Sequence, residues 1–244
     1  SLPAQSRTTV AINVNANDVK MRDNRFVRFA HFMVANGGGH IISGNHWFQG
    51  DGSGDGLRYA GLVLTRPNVQ TTINGNYIDN ASIEWTNEHS EQPNFTGNEY
   101  SFGGLTINGN TCLCSNTAPW FTWLTIKPYG TGHFIHGLTV TSNVFKALYG
   151  DVDRIERVDT SVADLNYNNM RNLQFEGNTF NGVKSYVSNP LMLQHNQVTP
   201  SAACGTAGSG SRSSTSTTRS APIVASLSCM SAVVSSAPIT VRAS

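Results

Sequence analysis

Two carboxylates, Glu84 and Glu156, sit in short stretches of alternating apolar and polar residues, Ile83-Glu84-Trp85 and Arg154-Ile155-Glu156-Arg157-Val158-Asp159. If Ile83, Leu124 and Ile155 point inward on successive parallel strands, then Val63, Glu84, Thr125 and Glu156 form one outward column. The two glutamates are then two strands apart, roughly 9 to 10 Å at the usual strand spacing. Inverting glycoside hydrolysis uses carboxyl groups about 6.5 to 9.5 Å apart, one protonating the leaving oxygen and the other activating a water. Glu84 and Glu156 are therefore the catalytic candidates. Trp85, His89, Lys127, Tyr129, Arg154, Arg157 and Asp159 are the substrate-binding candidates, with Asp153 close by. Trp85, Trp120, Trp123 and Tyr129 offer faces on which sugar rings stack, and His89 and His133 lie in loops where an imidazole can trade a proton near neutral pH. The same residues also fit a purely structural role, a solvated ladder of ion pairs each worth under about 1 kcal/mol.

Such a column needs parallel strands in a regular stack, and the chain carries a matching repeat. An apolar-x-small-Asn-x-apolar signature recurs as Val14-Asn15-Ala16-Asn17-Asp18-Val19, Ile42-Ser43-Gly44-Asn45-His46-Trp47 and Ile73-Asn74-Gly75-Asn76-Tyr77-Ile78. It returns around Asn110, Asn143 and Asn178. With Asn17 as the first member, the asparagines stand at 17, 45, 76, 110, 143 and 178, a spacing that signals stacked supersecondary units. Before each later asparagine, Leu105-Thr106-Ile107, Leu138-Thr139-Val140 and Leu173-Gln174-Phe175 alternate with period two, which describes half-buried strands. The small residue and the asparagine make a tight bend, because Gly accepts positive φ and Asn tolerates it. Ordinary Asn-Gly hairpins would recur at much shorter spacing. The expected fold is all-β: a parallel β-helix of about six coils over residues 1–198, its asparagine amides hydrogen-bonded from coil to coil.

The 244-residue chain is long enough for one elongated domain with a sizeable core, and its net charge of +1 offers no electrostatic reason to bind nucleic acid or an acidic membrane. No apolar run approaches the roughly 20 residues that span a bilayer. Cys112 and Cys114, on one strand, face the same way and do not bridge each other readily. Asp51 and Asp55, in a Gly-rich loop at 49–59, could ligate calcium, yet two carboxylates are few, their spacing matches no EF-hand loop, and a solvated loop explains them better; no other metal or cofactor is expected. From Thr199 to Ser244 Ser, Thr and Ala dominate, no aromatic, acidic or amide side chain occurs, and Arg212, Arg219 and Arg242 are the only charged residues. This segment reads either as a disordered tail or as sequence translated out of frame. The open ends of the coil expose unpaired strand edges and neither terminus reads as a helical cap, so a missing upstream domain or a homotrimer is expected to cover them.

The Ile-x-Gly-Asn-x-Phe/Tyr repeats, Gly39-His40-Ile41-Ile42-Ser43-Gly44-Asn45, Ile83-Glu84-Trp85-Thr86-Asn87-Glu88-His89, Lys127-Pro128-Tyr129-Gly130 and Arg154 to Asp159 resemble the right-handed parallel β-helix proteins of the pectate lyase superfamily. They are most similar to its polygalacturonase-related members of phage or gene-transfer-agent spike type, over about residues 10 to 198. The resemblance implies a right-handed coil with three strands per turn, a polysaccharide as substrate or binding partner, and an extracellular or virion-associated location. The nearest echoes of that family's catalytic motifs are Gly39-His40-Ile41, Gly132-His133-Phe134 and Arg154-Ile155-Glu156, and no Asp-Asp pair occurs in the chain. Two functions stay open at this point: cleavage of a surface or capsular polysaccharide by hydrolysis or elimination, and non-catalytic glycan recognition by an adhesive spike.

Overall fold

The computed structural model describes residues 10–49, 60–88, 94, 96, 101–115, 121–148 and 152–185. Asp51, Asp55, His89, Trp120 and the segment from Thr199 onward lie outside the described residues. Short strands, most with period-two burial, follow one another in six groups, the first five of three strands each and the last of five. The groups are β1 (Val10–Asn15), β2 (Lys20–Arg22), β3 (Arg25–Val27); β4 (His31–Asn36), β5 (Ile41–Ser43), β6 (His46–Phe48); and β7 (Ala60–Leu64), β8 (Asn68–Asn74), β9 (Tyr77–Asp79). They continue as β10 (Ser82–Thr86), β11 (Gly103–Asn108), β12 (Thr111–Cys114); β13 (Leu124–Lys127), β14 (His136–Thr141), β15 (Val144–Ala147); and β16 (Val152–Arg154), β17 (Glu156–Val158), β18 (Arg171–Glu176), β19 (Thr179–Asn181), β20 (Val183–Ser185).

Each group gives one strand to each of three six-stranded sheets. The first runs β1-β4-β7-β10-β13-β17, the second β2-β5-β8-β11-β14-β18 and the third β3-β6-β9-β12-β15-β19, while β16 pairs with β20. Every pairing is parallel. Six stacked groups in three parallel sheets are the arrangement of a parallel β-helix solenoid. No helix among the described residues is long and apolar enough to cross a membrane.

Parallel register piles like on like. Met21, Ile42, Ile73, Ile107, Val140 and Phe175 form one inward column of the second sheet. Phe26, Trp47, Ile78, Cys112, Phe145 and Phe180 form that of the third. Full burial of a side chain of this size contributes about 1.5 to 3 kcal/mol, so these columns dominate the favourable energy. Cys112 and Cys114 are both buried, as their shared strand face requires, and burial pushes the Cys112 thiol up.

The asparagines pile into a column between the second and third sheets. Asn45 donates from Nδ2 to Asn76 Oδ1 at 3.0 Å, Asn76 to Asn110 at 3.0 Å, Asn110 to Asn143 at 2.9 Å and Asn143 to Asn178 at 2.9 Å. Each receiving Oδ1 also accepts the backbone N–H of the asparagine below it, at 2.9 Å throughout. The residue before each is left-handed: Asp23, Gly44, Gly75, Gly109, Ser142 and Gly177 have φ of 57°, 67°, 64°, 65°, 57° and 64°.

Asp23 exposes a correction. The first member of the ladder is Asn24, whose backbone N–H and Nδ2 reach Asn45 Oδ1 at 3.0 and 3.2 Å, and not Asn17. Asn17 serves the preceding bend, where its Oδ1 accepts Gly38 N–H at 3.0 Å. The true first copy, Met21-Arg22-Asp23-Asn24-Arg25-Phe26, is masked in sequence by an Asp in the small-residue slot and an arginine on either side.

Candidate functional site

The first sheet presents two outward columns. Val34, Val63, Glu84, Thr125 and Arg157 stand in register in one. Lys127 stands in the next beside Thr86, which is itself buried, and Asp159 follows them through its N–H to the carbonyl of Ile126.

Glu156 is not in the Glu84 column. It pairs with Leu124, is fully buried, and lines an internal void of about 10 Å³ with Trp123, Cys112 and Phe145. The expected register is off by one residue because this sheet turns two consecutive side chains inward as it begins: Phe32 and Met33, then Trp123 and Leu124, then Ile155 and Glu156. Ile155 matches Trp123, not Leu124, and a slip of one residue sends every following side chain to the opposite face.

Two expected sugar-stacking rings are also core residues. Trp85 is fully buried, packs edge-on against Phe102 at 5.2 Å and donates Nε1–H to the Arg66 carbonyl at 2.9 Å. Trp123 is buried between Phe121 and Phe145. Arg154 belongs to β16 and pairs with Ser185 of β20, and Asp153 of the same strand takes an exposed ion pair with Lys184 at 3.2 Å, so both stand on another sheet. His40 and His133, the motif histidines, are 1% and 2% exposed, so neither lies on a solvent face.

Glu84, Lys127, Tyr129, Arg157 and Asp159 do come together. The Lys127 ammonium sits 5.3 Å above the Tyr129 ring centroid, close enough for a cation–π contact. Arg157 approaches Asp159 at 4.0 Å, and Asp159 Oδ1 accepts Ser161 N–H at 3.0 Å. Two residues that the strand pattern did not single out join them. Glu88, just past β10, donates its N–H to Thr86 Oγ1 at 3.1 Å, and His31 of β4 donates Nδ1–H to the Ala60 carbonyl at 2.7 Å. Glu88 was visible as a loop acid; His31 carried no signal, because its strand lies far from the others in sequence.

The groups pull on one another unequally. Burial raises the Glu84 carboxyl above its ordinary range, Glu88 and Asp159 push it further, and Lys127 and His31 oppose them. Lys127 is raised first by its hydrogen bond with Tyr129, against desolvation, and then by the fields of Glu84 and Glu88. Burial alone would raise Asp159, but hydrogen bonds from Ser161 together with Arg157 and Lys127 more than offset it and hold its carboxyl below the ordinary range. Glu84 and Asp159, on one face, are thus shifted in opposite directions.

No family model matches the chain, and no curated protein or solved structure matches it.

Proposed function

We propose that this chain is a right-handed, single-stranded β-helix of the pectate lyase superfamily type that binds a surface or capsular polysaccharide along the outer face of its first sheet and hydrolyses it there. The observation that carries the reading is the gathering of Glu84, Lys127, Tyr129, Arg157 and Asp159 on one face, with Glu84 biased towards the acid and Asp159 towards the carboxylate. Glu84 is the general acid that protonates the leaving glycosidic oxygen. Asp159 takes the place expected of Glu156, as the base that removes a proton from the attacking water. The two lie two strands apart and one outward position along, a Cα separation of roughly 12 Å from strand geometry. Inversion needs the two carboxyl groups within about 6.5 to 9.5 Å of each other, so the two side chains lean towards one another across the face in this reading. Lys127, Arg157 and Tyr129 hold the sugar chain through hydrogen bonds and ring contact.

Release of reducing ends from a panel of bacterial capsular polysaccharides tests this. Wild-type cleavage that falls at least about 100-fold in both Glu84→Gln and Asp159→Asn, with binding retained, is the expected result for general acid–base catalysis. Binding without cleavage by the wild type would replace hydrolysis with an adhesive role, which the mutual Lys127–Tyr129 and Arg157–Asp159 contacts also support. No binding to any member of the panel would remove the saccharide reading altogether.

A further inference from the structure

We infer that Asn87 is a positioning residue for this face: by clamping the backbone of Tyr129, it fixes the side chain that holds the Lys127 ammonium beside Glu84. The inference takes the site proposed above as its setting. Lys127 is in register with Thr86, and Glu84 with Thr125, so lysine and glutamate are diagonal and not direct neighbours. A lysine side chain has much rotamer entropy to lose, and something must hold it if it is to stay on that diagonal. Tyr129, two residues further on, is the anchor. Tyr129 lies beyond the end of β13, where the sheet no longer fixes its backbone.

Asn87 takes over there. It is the first residue after β10 and fully buried. Its Oδ1 accepts Tyr129 N–H at 2.7 Å and its Nδ2 donates to the Tyr129 carbonyl at 2.8 Å, which extends the strand pairing by one side chain. These two bonds assign the amide without ambiguity, so the remaining Nδ2 hydrogen points to His133 Nε2 at 3.1 Å, and that ring nitrogen must accept. The imidazole proton then sits on Nδ1 and is donated to Ser101 Oγ at 3.1 Å, which also accepts Phe134 N–H at 2.8 Å. Asn87, Ser101 and His133 are all at most 2% exposed. A buried chain of this kind supports its exposed end rigidly, because the Asn87 amide and the His133 ring each have both polar atoms engaged.

The test is a titration of the Glu84 side-chain carboxyl by ¹³C NMR in the full chain, with no ligand present. Lys127→Met sets the scale: it moves the Glu84 midpoint further up, because the ammonium holds it down. Asn87→Ala and Tyr129→Ala are expected to move the midpoint in the same upward direction, and the Asn87→Ala/Lys127→Met double variant to titrate as Lys127→Met alone. A wild-type midpoint in Asn87→Ala, accompanied only by a lower Tm, would overturn the inference by making Asn87 a packing residue. If Asn87→Ala does not fold, Tyr129→Ala decides, and a wild-type midpoint there overturns it equally. No polysaccharide enters this measurement, so a failed binding experiment removes the proposed function and leaves this result standing.

Discussion

A half-buried carboxyl with a raised pKa makes a signed claim about stability. Glu84 holds its proton more tightly folded than unfolded, so the stabilisation is complete below its ordinary value of 4.5 and is lost as the pH rises through its folded value. At neutral pH the ionised group therefore opposes folding. Glu84→Gln is expected to melt above the wild type at pH 7, with the difference vanishing near pH 4 in calorimetry. A Glu84→Gln Tm below wild type at pH 7 would mean that the Lys127 contact outweighs burial. His40 has the opposite dependence. Burial lowers its imidazole, against Asp18 and the Gly37 carbonyl, and its Nδ1 accepts Val19 N–H at 3.3 Å. The unfolded chain takes up this proton first, so stability is full above 6.5 and falls as the pH drops through the window below it. His40→Asn, which keeps an acceptor for Val19, should flatten the loss of stability between pH 7 and pH 5; an unchanged slope would put that acid sensitivity on another group.

At the scale of the element, the asparagine ladder ties the second sheet to the third at every bend. Asn110 is 1% exposed; its Oδ1 serves Asn76, and its Nδ2 serves Asn143 and the Ile73 carbonyl. Asn110→Ala leaves several of these buried groups without partners, a loss of roughly 2 to 4 kcal/mol given about 1 to 3 kcal/mol for each orphaned group. Asn24→Ala, at the exposed first rung, should cost well under half of that, because water replaces its lost bonds. Equal costs in urea titration would show that the ladder draws its strength from the bend conformation and not from burial.

For the whole molecule, each rung pairs only with the rungs on either side of it, so stability is close to a sum of rung and nearest-neighbour contributions. Central strands have partners on both edges, whereas β2 and β3 stand last in their sheets. Native-state hydrogen exchange should therefore be slowest in β8 and β11 and fastest in β2, β3 and β19. Uniform protection from end to end would mean that the stack opens as a single unit.

Much of this architecture was legible in the chain because stacking is written locally. Every rung repeats an apolar-polar alternation and a left-handed bend before an asparagine, so the strand class, the parallel stacking and the ladder from Asn45 to Asn178 follow from residue types and spacing alone. The shared outward face of Glu84, Thr125 and Lys127 was legible for the same reason. Register was not. Trp123-Leu124 and Ile155-Glu156 can each be phased in two ways by alternation, and only the packed sheet, which turns both residues of each pair inward, buries Glu156 and carries Arg157 and Asp159 to the surface instead. Tertiary contact likewise put Trp85 and His133 inside and brought His31 to Glu84, because a side chain's face depends on which strand lies beside it, and that neighbour is some thirty residues away.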